Sequence, residues 1–366
     1  MERKTIAVIS NDHAWTYNLR KEILEALIKE GHRVVVIVGY GKRVEDLKQL
    51  GCEFIDIPVD RHGMNPFNEL KLYRKYKKAL KELKPDIALT YTIKPNIYGG
   101  YACGKLGIPY IANITGLGTP IENKGPLQGV FTKMLKVGLK KASMVFFQNT
   151  ENMRLLLDKR VISGKYDLLP GSGVNVERFS PLEYPSEATT EFVFISRLMK
   201  EKGIDQYLDA AIAIKEKHPN TKFHICGFCE QNYTDKINEL NANGTVVYHG
   251  MVDDVREVIK NCHCTIHPTY YPEGLSNVLL ESSACARPII TTDRSGCREV
   301  IDDGVNGFIV KQKDSADLIE KIEKFIALPY EEKRQMGLNG RAKVEKEFDR
   351  QIVVRKYLEQ IDNEQE

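Results

Sequence analysis

The chain has 366 residues, enough for two domains of ordinary size, and its 42% apolar and 28% charged content is that of a soluble globular protein. No apolar run reaches the ~20 residues that would span a bilayer, and the opening MERKTIAVIS reads as a charged lead into a buried strand, not as a signal peptide, so the expected compartment is the cytosol. The net charge of +3 hides an asymmetry: residues 1–185 carry 29 Lys and Arg against 19 Asp and Glu (+10), the remainder 24 against 31 (−7), so the basic half should meet something anionic.

Residues 5–10, TIAVIS, form the first expected strand. Residues 17–30 follow as a helix with Leu19, Ile23, Leu24, Leu27 and Ile28 on one face, ended by Gly31. A strand at 34–38 comes next. Helices near 43–50, 66–84 and 96–106 then alternate with strands at 53–57, 86–91 and 109–114. Such alternation implies βαβ units and a parallel sheet covered on both faces. The pattern resumes after residue 190, which implies a second sheet of the same kind.

In a parallel α/β sheet, ligands sit beyond the carboxyl ends of strands. The loop after the first strand, SNDHAWTYN, places Asn11, Asp12, His13, Trp15, Tyr17 and Asn18 there, and it lacks the G-x-G-x-x-G dinucleotide fingerprint. The plainer use of Asp12 or Thr16 is to cap the helix. Two further loops follow strand ends: TYTIKPN (90–96), where Lys94 could meet an acceptor phosphate, and NITGLGT (113–119), where Gly116 and Gly118 allow positive φ and close approach. The helix at 66–84 carries seven cations, among them Lys71, Arg74, Lys75 and Lys78. The amphipathic helix at 124–141 sets Lys133, Lys136, Lys140 and Lys141 beside an apolar face with Val130 and Val137. Either helix suits an anionic headgroup layer or a solvated surface; their shared sign favours membrane contact. No nucleic-acid-binding signature accompanies the basic charge, so nucleic acid is set aside.

LLPGSGVNVERFSP (168–181) and the linker-like PLEYPSEATT place a domain boundary near 183. EFVFISRLMKEKGID then gives a strand ending at Ser196, with Arg197 and Lys202 in the following loop. Strands at 221–226, 245–248 and 263–267 and helices at 314–327, 330–345 and about 349–361 complete the second domain. Cys226, Cys229, Cys262, His263, Cys264 and His267 invite a zinc reading. Cys226 and Cys264 fall inside expected buried strands, however, so packing is the preferred account.

The most informative stretch is 268–310, PTYYPEGLSNVLLESSACARPIITTDRSGCREVIDDGVNGFIV. Read as a helix opening at Glu273 and Gly274, it sets Glu281 slightly over two turns, roughly 12 Å, beyond Glu273 on one side. Gly274 permits close ligand approach, and the N–H groups of Leu275, Ser276 and Asn277 offer an anion site strengthened by the helix dipole. A diphosphate flanked by two hydroxyl-bearing sugars fits such a pocket. The bland alternative is an ordinary βα unit with solvated acids.

This stretch resembles the donor-binding signature of retaining glycosyltransferases of family 4, with Thr269 where that family usually has Ser. The resemblance extends to 168–181, to Arg197 and Lys202, and to the Gly-Leu-Gly loop at 116–118. At 295–299, Gly296 and Glu299 match the family pattern and Cys297 and Arg298 do not. It implies an α/β protein of GT-B fold, with two Rossmann-like parallel-sheet domains facing a cleft. An acceptor-binding domain would span 1–182 and a nucleotide-sugar-binding domain 183–345, with 346–366 crossing back to the first. It further implies that Arg197 and Lys202 grip the donor diphosphate with Gly274, Leu275 and Ser276, that Glu281 holds the ribose, and that Glu273 contacts the transferred sugar. Met251, in the 249–254 loop, would lie near the base and Gly296 near the sugar. Asn11, Asp12, Trp15, Lys94, Thr115, Gly116 and Gly118 would face the acceptor, with His13 as an auxiliary group. Retaining transfer is front-face, the leaving phosphate helping to take the acceptor proton, with no metal or cofactor beyond the UDP-sugar substrate.

The expected activity is transfer of a hexose or N-acetylhexosamine from a UDP-sugar to a saccharide on undecaprenyl diphosphate, for capsule, O-antigen or glycan assembly. The enzyme would work at the cytoplasmic face of the membrane, in peripheral contact with it. The competing readings are a UDP-sugar 2-epimerase of the same fold and a non-catalytic sugar-nucleotide-binding subunit.

Overall fold

The computed structural model describes residues 3–60, 63, 65–118, 121 and 125–363. The chain forms two compact units. The first contains β1 (Thr5–Ile9), α1 (His13–Lys29), β2 (Arg33–Val38), α2 (Val44–Gln49), β3 (Glu53–Asp56), α3 (Pro66–Leu83) and β4 (Ile87–Tyr91). A π-helical segment, Pro95–Gly99, runs into α4 (Gly100–Leu106), followed by β5 (Tyr110–Ile114), α5 (Pro126–Leu139), β6 (Met144–Phe147), α6 (Thr150–Asp158) and β7 (Tyr166–Leu168). The second contains β8 (Thr190–Ile195), α7 (Ile204–Lys217), β9 (Thr221–Cys226), α8 (Thr234–Ala242), β10 (Val247–Gly250), α9 (Arg256–Ile259) and β11 (Cys264–His267). It continues through α10 (Asn277–Ala284), β12 (Ile289–Thr292), β13 (Gly307–Val310), α11 (Ser315–Ala327) and α12 (Tyr330–Glu347); α13 (Arg350–Asn363) belongs to the first unit.

The first sheet has the order β3-β2-β1-β4-β5-β6-β7 and the second β10-β9-β8-β11-β12-β13, with every pairing parallel. Their central strands are continuous apolar runs because both faces are covered: Ile6 to Ile9 and Val34 to Val38 are buried throughout. In each sheet the chain starts in the middle, adds strands on one side, then returns to the other. The first strand of each sheet therefore borders a topological switch point, where open α/β sheets take up ligands.

The units divide at Ser172 and Gly173, ahead of the boundary that linker composition suggests at 183. The reason lies in the second unit. Residues 173–189 pack on it: Arg341 donates to Val176 O and Phe179 O, Arg287 to Leu182 O and Glu183 O, and the Tyr184 hydroxyl to His263 O. The turn itself uses Gly171 and Gly173, both at φ +64°, where other residues would be strained. The return to the first unit falls at Arg350, not at 346. Arg350 is buried, paired with Glu22 at 2.7 Å and bonded to Ser172 O. Pro272–Leu275 also counts with the first unit.

Cys226 and Cys264 are buried inside β9 and β11. Burial pushes the Cys226 thiol up to about 12 and the Cys264 thiol well above its ordinary value, as for small side chains packed in strand interiors.

Candidate active site

The second unit presents two loops at its switch point, one leaving β8 and one leaving β11. The first carries Arg197, then the 3-10 turn Lys200–Lys202, and ends at Gly203 with φ +79°. A Cβ on Gly203 would collide with Pro268 O, so the two loops touch through their backbones. They are also stitched together by hydrogen bonds. Tyr270 N donates to Glu201 O at 2.9 Å, and the Thr269 hydroxyl donates to the same oxygen at 3.2 Å while accepting from Tyr271 N at 3.1 Å. Thr269 thus supplies a hydroxyl where the family pattern usually has that of a serine.

This stitching brings the Tyr271 ring against both cations. Arg197 Cζ lies 5.4 Å and Lys202 Nζ 4.8 Å from its centroid. Arg197 also pairs with Glu230 at 2.5 Å. Burial lowers the guanidinium pKa, but Glu230 and the Tyr271 hydroxyl more than offset it, and the net shift is upward. Lys202 is buried.

The helix that follows begins at Asn277, with Ser276 as its extended N-cap, so Glu273 and Gly274 do not open it. This corrects the two-turn spacing expected for Glu273 and Glu281: Glu281 is half-buried on α10, while Glu273 sits in the loop ahead of the helix. The N–H of Ser276 is also committed, donating to Gly296 O at 2.8 Å. The groups left for an anion are those of the first helical turn, Asn277 to Leu279, which no intrahelical carbonyl can serve. Gly296 is held in turn by Glu299, whose carboxylate accepts from Gly296 N at 2.7 Å and from the Ser295 hydroxyl at 3.0 Å. Met251 is 70% exposed in the loop after β10. Beside it the His249 ring stacks on His224, with their nitrogens 2.9 Å apart, and His224 bonds Glu191 at 2.8 Å.

In the first unit, the Glu273–Gly274 backbone is fixed by two neighbours. The Asn149 amide donates to Glu273 O at 3.0 Å and Gly274 O at 2.6 Å, while its oxygen caps α6 by accepting from Asn152 N. Thr115 O and Gln148 Oε1 leave no room for a Cβ on Gly274, and Gly116, at φ +143°, faces Gly274 N. Thr115, Gly116, Glu273 and Gly274 therefore form one cluster, with Gly118 two residues further along the same loop and Leu275 packed on Gly171.

The first-strand loop behaves more conservatively. Asp12 caps α1, accepting from Trp15 N at 2.9 Å, and Trp15 stands exposed on the first turn. Asn11 is half-buried. His13 lies against Gly41, with its Nδ1 accepting from Arg43 N at 3.4 Å. Lys94 is not an open cation: it pairs with Glu69 at 2.5 Å and donates to Gly63 O at 2.7 Å, an arrangement between distant residues that loop composition cannot foresee. Thr119, at the end of the Gly-Leu-Gly loop, and Lys124, at the start of the expected basic helix, lie outside the described residues.

Two family models match the chain, one described as glycosyl transferases group 1 over residues 180–343 and one as glycosyl transferase 4-like over residues 6–149. Among curated proteins, an N,N'-diacetylbacillosaminyl-diphospho-undecaprenol alpha-1,3-N-acetylgalactosaminyltransferase of Campylobacter jejuni is 28% identical over 98% of both chains. The chain belongs to the glycosyltransferases. The capsular polysaccharide biosynthesis glycosyltransferase CapM of Staphylococcus aureus is also 28% identical to this glycosyltransferase, over 90% of each. Solved structures of a Rickettsia africae glycosyltransferase (TM-score 0.81, 22% identity, 98% of both chains) and of Anabaena HepE with UDP and glucose (TM-score 0.80, 17%, 98% of this chain and 100% of that one) show its fold, which is GT-B.

Sequence reasoning missed Tyr271, Glu230, Asn149 and Gln148. Tyr271 lies inside the signature stretch, but the cations it meets, Arg197 and Lys202, come from a distant loop of the chain. Glu230 and Asn149 act across 33 and 124 positions of chain and leave no local trace.

Proposed function

We propose that this glycosyltransferase moves a hexose or N-acetylhexosamine from a UDP-sugar to a saccharide carried on undecaprenyl diphosphate, with retention and without a metal. The observation that carries the reading is the pair Arg197 and Lys202, fixed around Tyr271 at the switch point of the second sheet. Two set cations complement the charge that grows on a departing nucleoside diphosphate, the task a metal performs elsewhere. The first turn of α10 adds N–H groups to the same anion, Glu281 accepts from the ribose hydroxyls, and Glu273 contacts the transferred sugar. Asn11, Trp15, Thr115, Gly116 and Gly118 face the acceptor, with Asp12 holding the first of these loops and His13 in an auxiliary place. The acceptor class is that named for the Campylobacter relative, and a UDP donor accords with the ligand of the Anabaena structure.

Radiolabelled UDP-hexoses and UDP-N-acetylhexosamines should label undecaprenyl-diphosphate saccharides, with the anomeric configuration kept and no loss in EDTA. Labelling from GDP- or ADP-sugars alone would remove the UDP assignment. Release of an epimerised sugar without acceptor would favour the epimerase reading, and a protein inert with every pair the binding subunit.

We place the work at the cytoplasmic face of the membrane. Among the described residues no helix is long and apolar enough to cross a bilayer, so contact would be peripheral. In the first unit α4 packs against both α3 and α5, and the three helices expose Phe67 (82%), Leu70, Tyr101, Val130 and Val137 together with Lys71, Arg74, Lys75, Lys105, Lys133 and Lys136. Apolar groups alongside cations suit an anionic headgroup layer. Vesicles rich in phosphatidylglycerol should sediment the protein and neutral ones should not. Reversing the charge of Lys71, Lys75, Lys133 and Lys136 should weaken binding by about 10³-fold or more, since about 1 kcal/mol is lost per cation and the new carboxylates repel the headgroups.

A further inference from the structure

We propose that Tyr271 is the positioning residue of the diphosphate grip, holding Arg197 and Lys202 in place before the donor arrives. The inference rests on the donor reading above and adds a residue to it. Two cations drawn to one anion repel each other while the site is empty, and long side chains lose rotamer freedom on binding. The Tyr271 ring answers both costs. Its quadrupole attracts Arg197 and Lys202, with centroid distances of 5.4 and 4.8 Å. Its hydroxyl faces the Arg197 guanidinium, whose other flank is taken by Glu230. The ring is itself placed by backbone bonds, since Tyr271 N is tied to the Thr269 hydroxyl and that hydroxyl to Glu201 O, one residue before Lys202. Ring and Lys202 are thus set by one bonded circuit, and Glu230 holds Arg197 beside it.

The test is UDP affinity by calorimetry for wild type, Y271F, Y271L and Y271M. Phenylalanine keeps the ring and should stay within about threefold of wild type, whereas leucine and methionine keep bulk without a quadrupole and should weaken binding about tenfold. The same measurement in an R197A/K202A background separates positioning from packing. There Y271L and Y271M should cost less than about twofold, because nothing remains to be positioned. Equal losses for phenylalanine and leucine, or an undiminished leucine effect in that background, would overturn the proposal while leaving the donor site standing. Wild-type protein that binds no nucleoside diphosphate would overturn the donor reading and this proposal together.

Discussion

Alanine at Lys202 is expected to lower kcat for sugar transfer by about 10²- to 10³-fold, the range seen when one preorganised group facing transition-state charge is removed. Lys202 sits buried at the end of its 3-10 turn, over the Tyr271 ring, so its charge acts where water screens it poorly. The diphosphate carries more negative charge on leaving than while bound to the sugar, so the loss should fall mainly on kcat. Arg197→Ala should act in the same direction. Because Glu230 already occupies that guanidinium, part of the Arg197 effect should appear as a changed donor KM instead. Initial rates at saturating acceptor, with donor varied, separate the two. A K202A enzyme retaining more than half the wild-type kcat would refute the assignment.

Methionine at Arg287 should destabilise the second unit by about 3–5 kcal/mol, because several buried carbonyls lose their donor at about 1–3 kcal/mol each and find others only in part. Arg287 is fully buried, and its guanidinium donates to the carbonyls of Ile259, Leu182, Cys285, Glu183 and Lys260. Burial lowers its pKa, yet an arginine stays protonated, so the cation is retained and shared among carbonyl dipoles. Methionine fills much of the volume but leaves those oxygens short of donors. A thermal midpoint lower by on the order of 10 °C follows for a unit of this size. Lysine, with three donors and no planar fork, should recover only part of the loss. Calorimetric melts of the three proteins check this. Activity per folded molecule in the cold should hardly change, since Arg287 reaches the segment after residue 173 and not the loops after β8 and β11.

The contrast between these residues shows what could be read from sequence. The alternation of strands and helices follows from local hydrophobic pattern, so the two parallel sheets were legible. The strand expected at 245–248 shifted to Val247–Gly250, with an irregular register beside β9. Arg197 and Lys202 stood out because the segment after the strand ending at Ser196 resembles the family's, though nothing local showed that Tyr271 would lie against both. The start of α10 was not: Gly274 is crowded by Thr115 O and Gln148 Oε1, and the Ser276 N–H is drawn to Gly296 O, so helical geometry waits until Asn277. Lys94 looked available because its partner Glu69 stands 25 positions earlier. Charge bound in a distant pair cannot be told from free charge in a loop.

The helix Arg350–Asn363 carries a consequence for biosynthesis. Val353, Val354, Tyr357 and Ile361 fill the same apolar cluster as Ile6, Val8, Leu24 and Val36. A nascent chain emerging at about 5–20 residues per second therefore holds an unsealed groove on its earliest strands for roughly 10 to 35 s, while everything after Ser172 is made. The plug is made only after the whole second unit, so the first unit cannot close until the second has been synthesised.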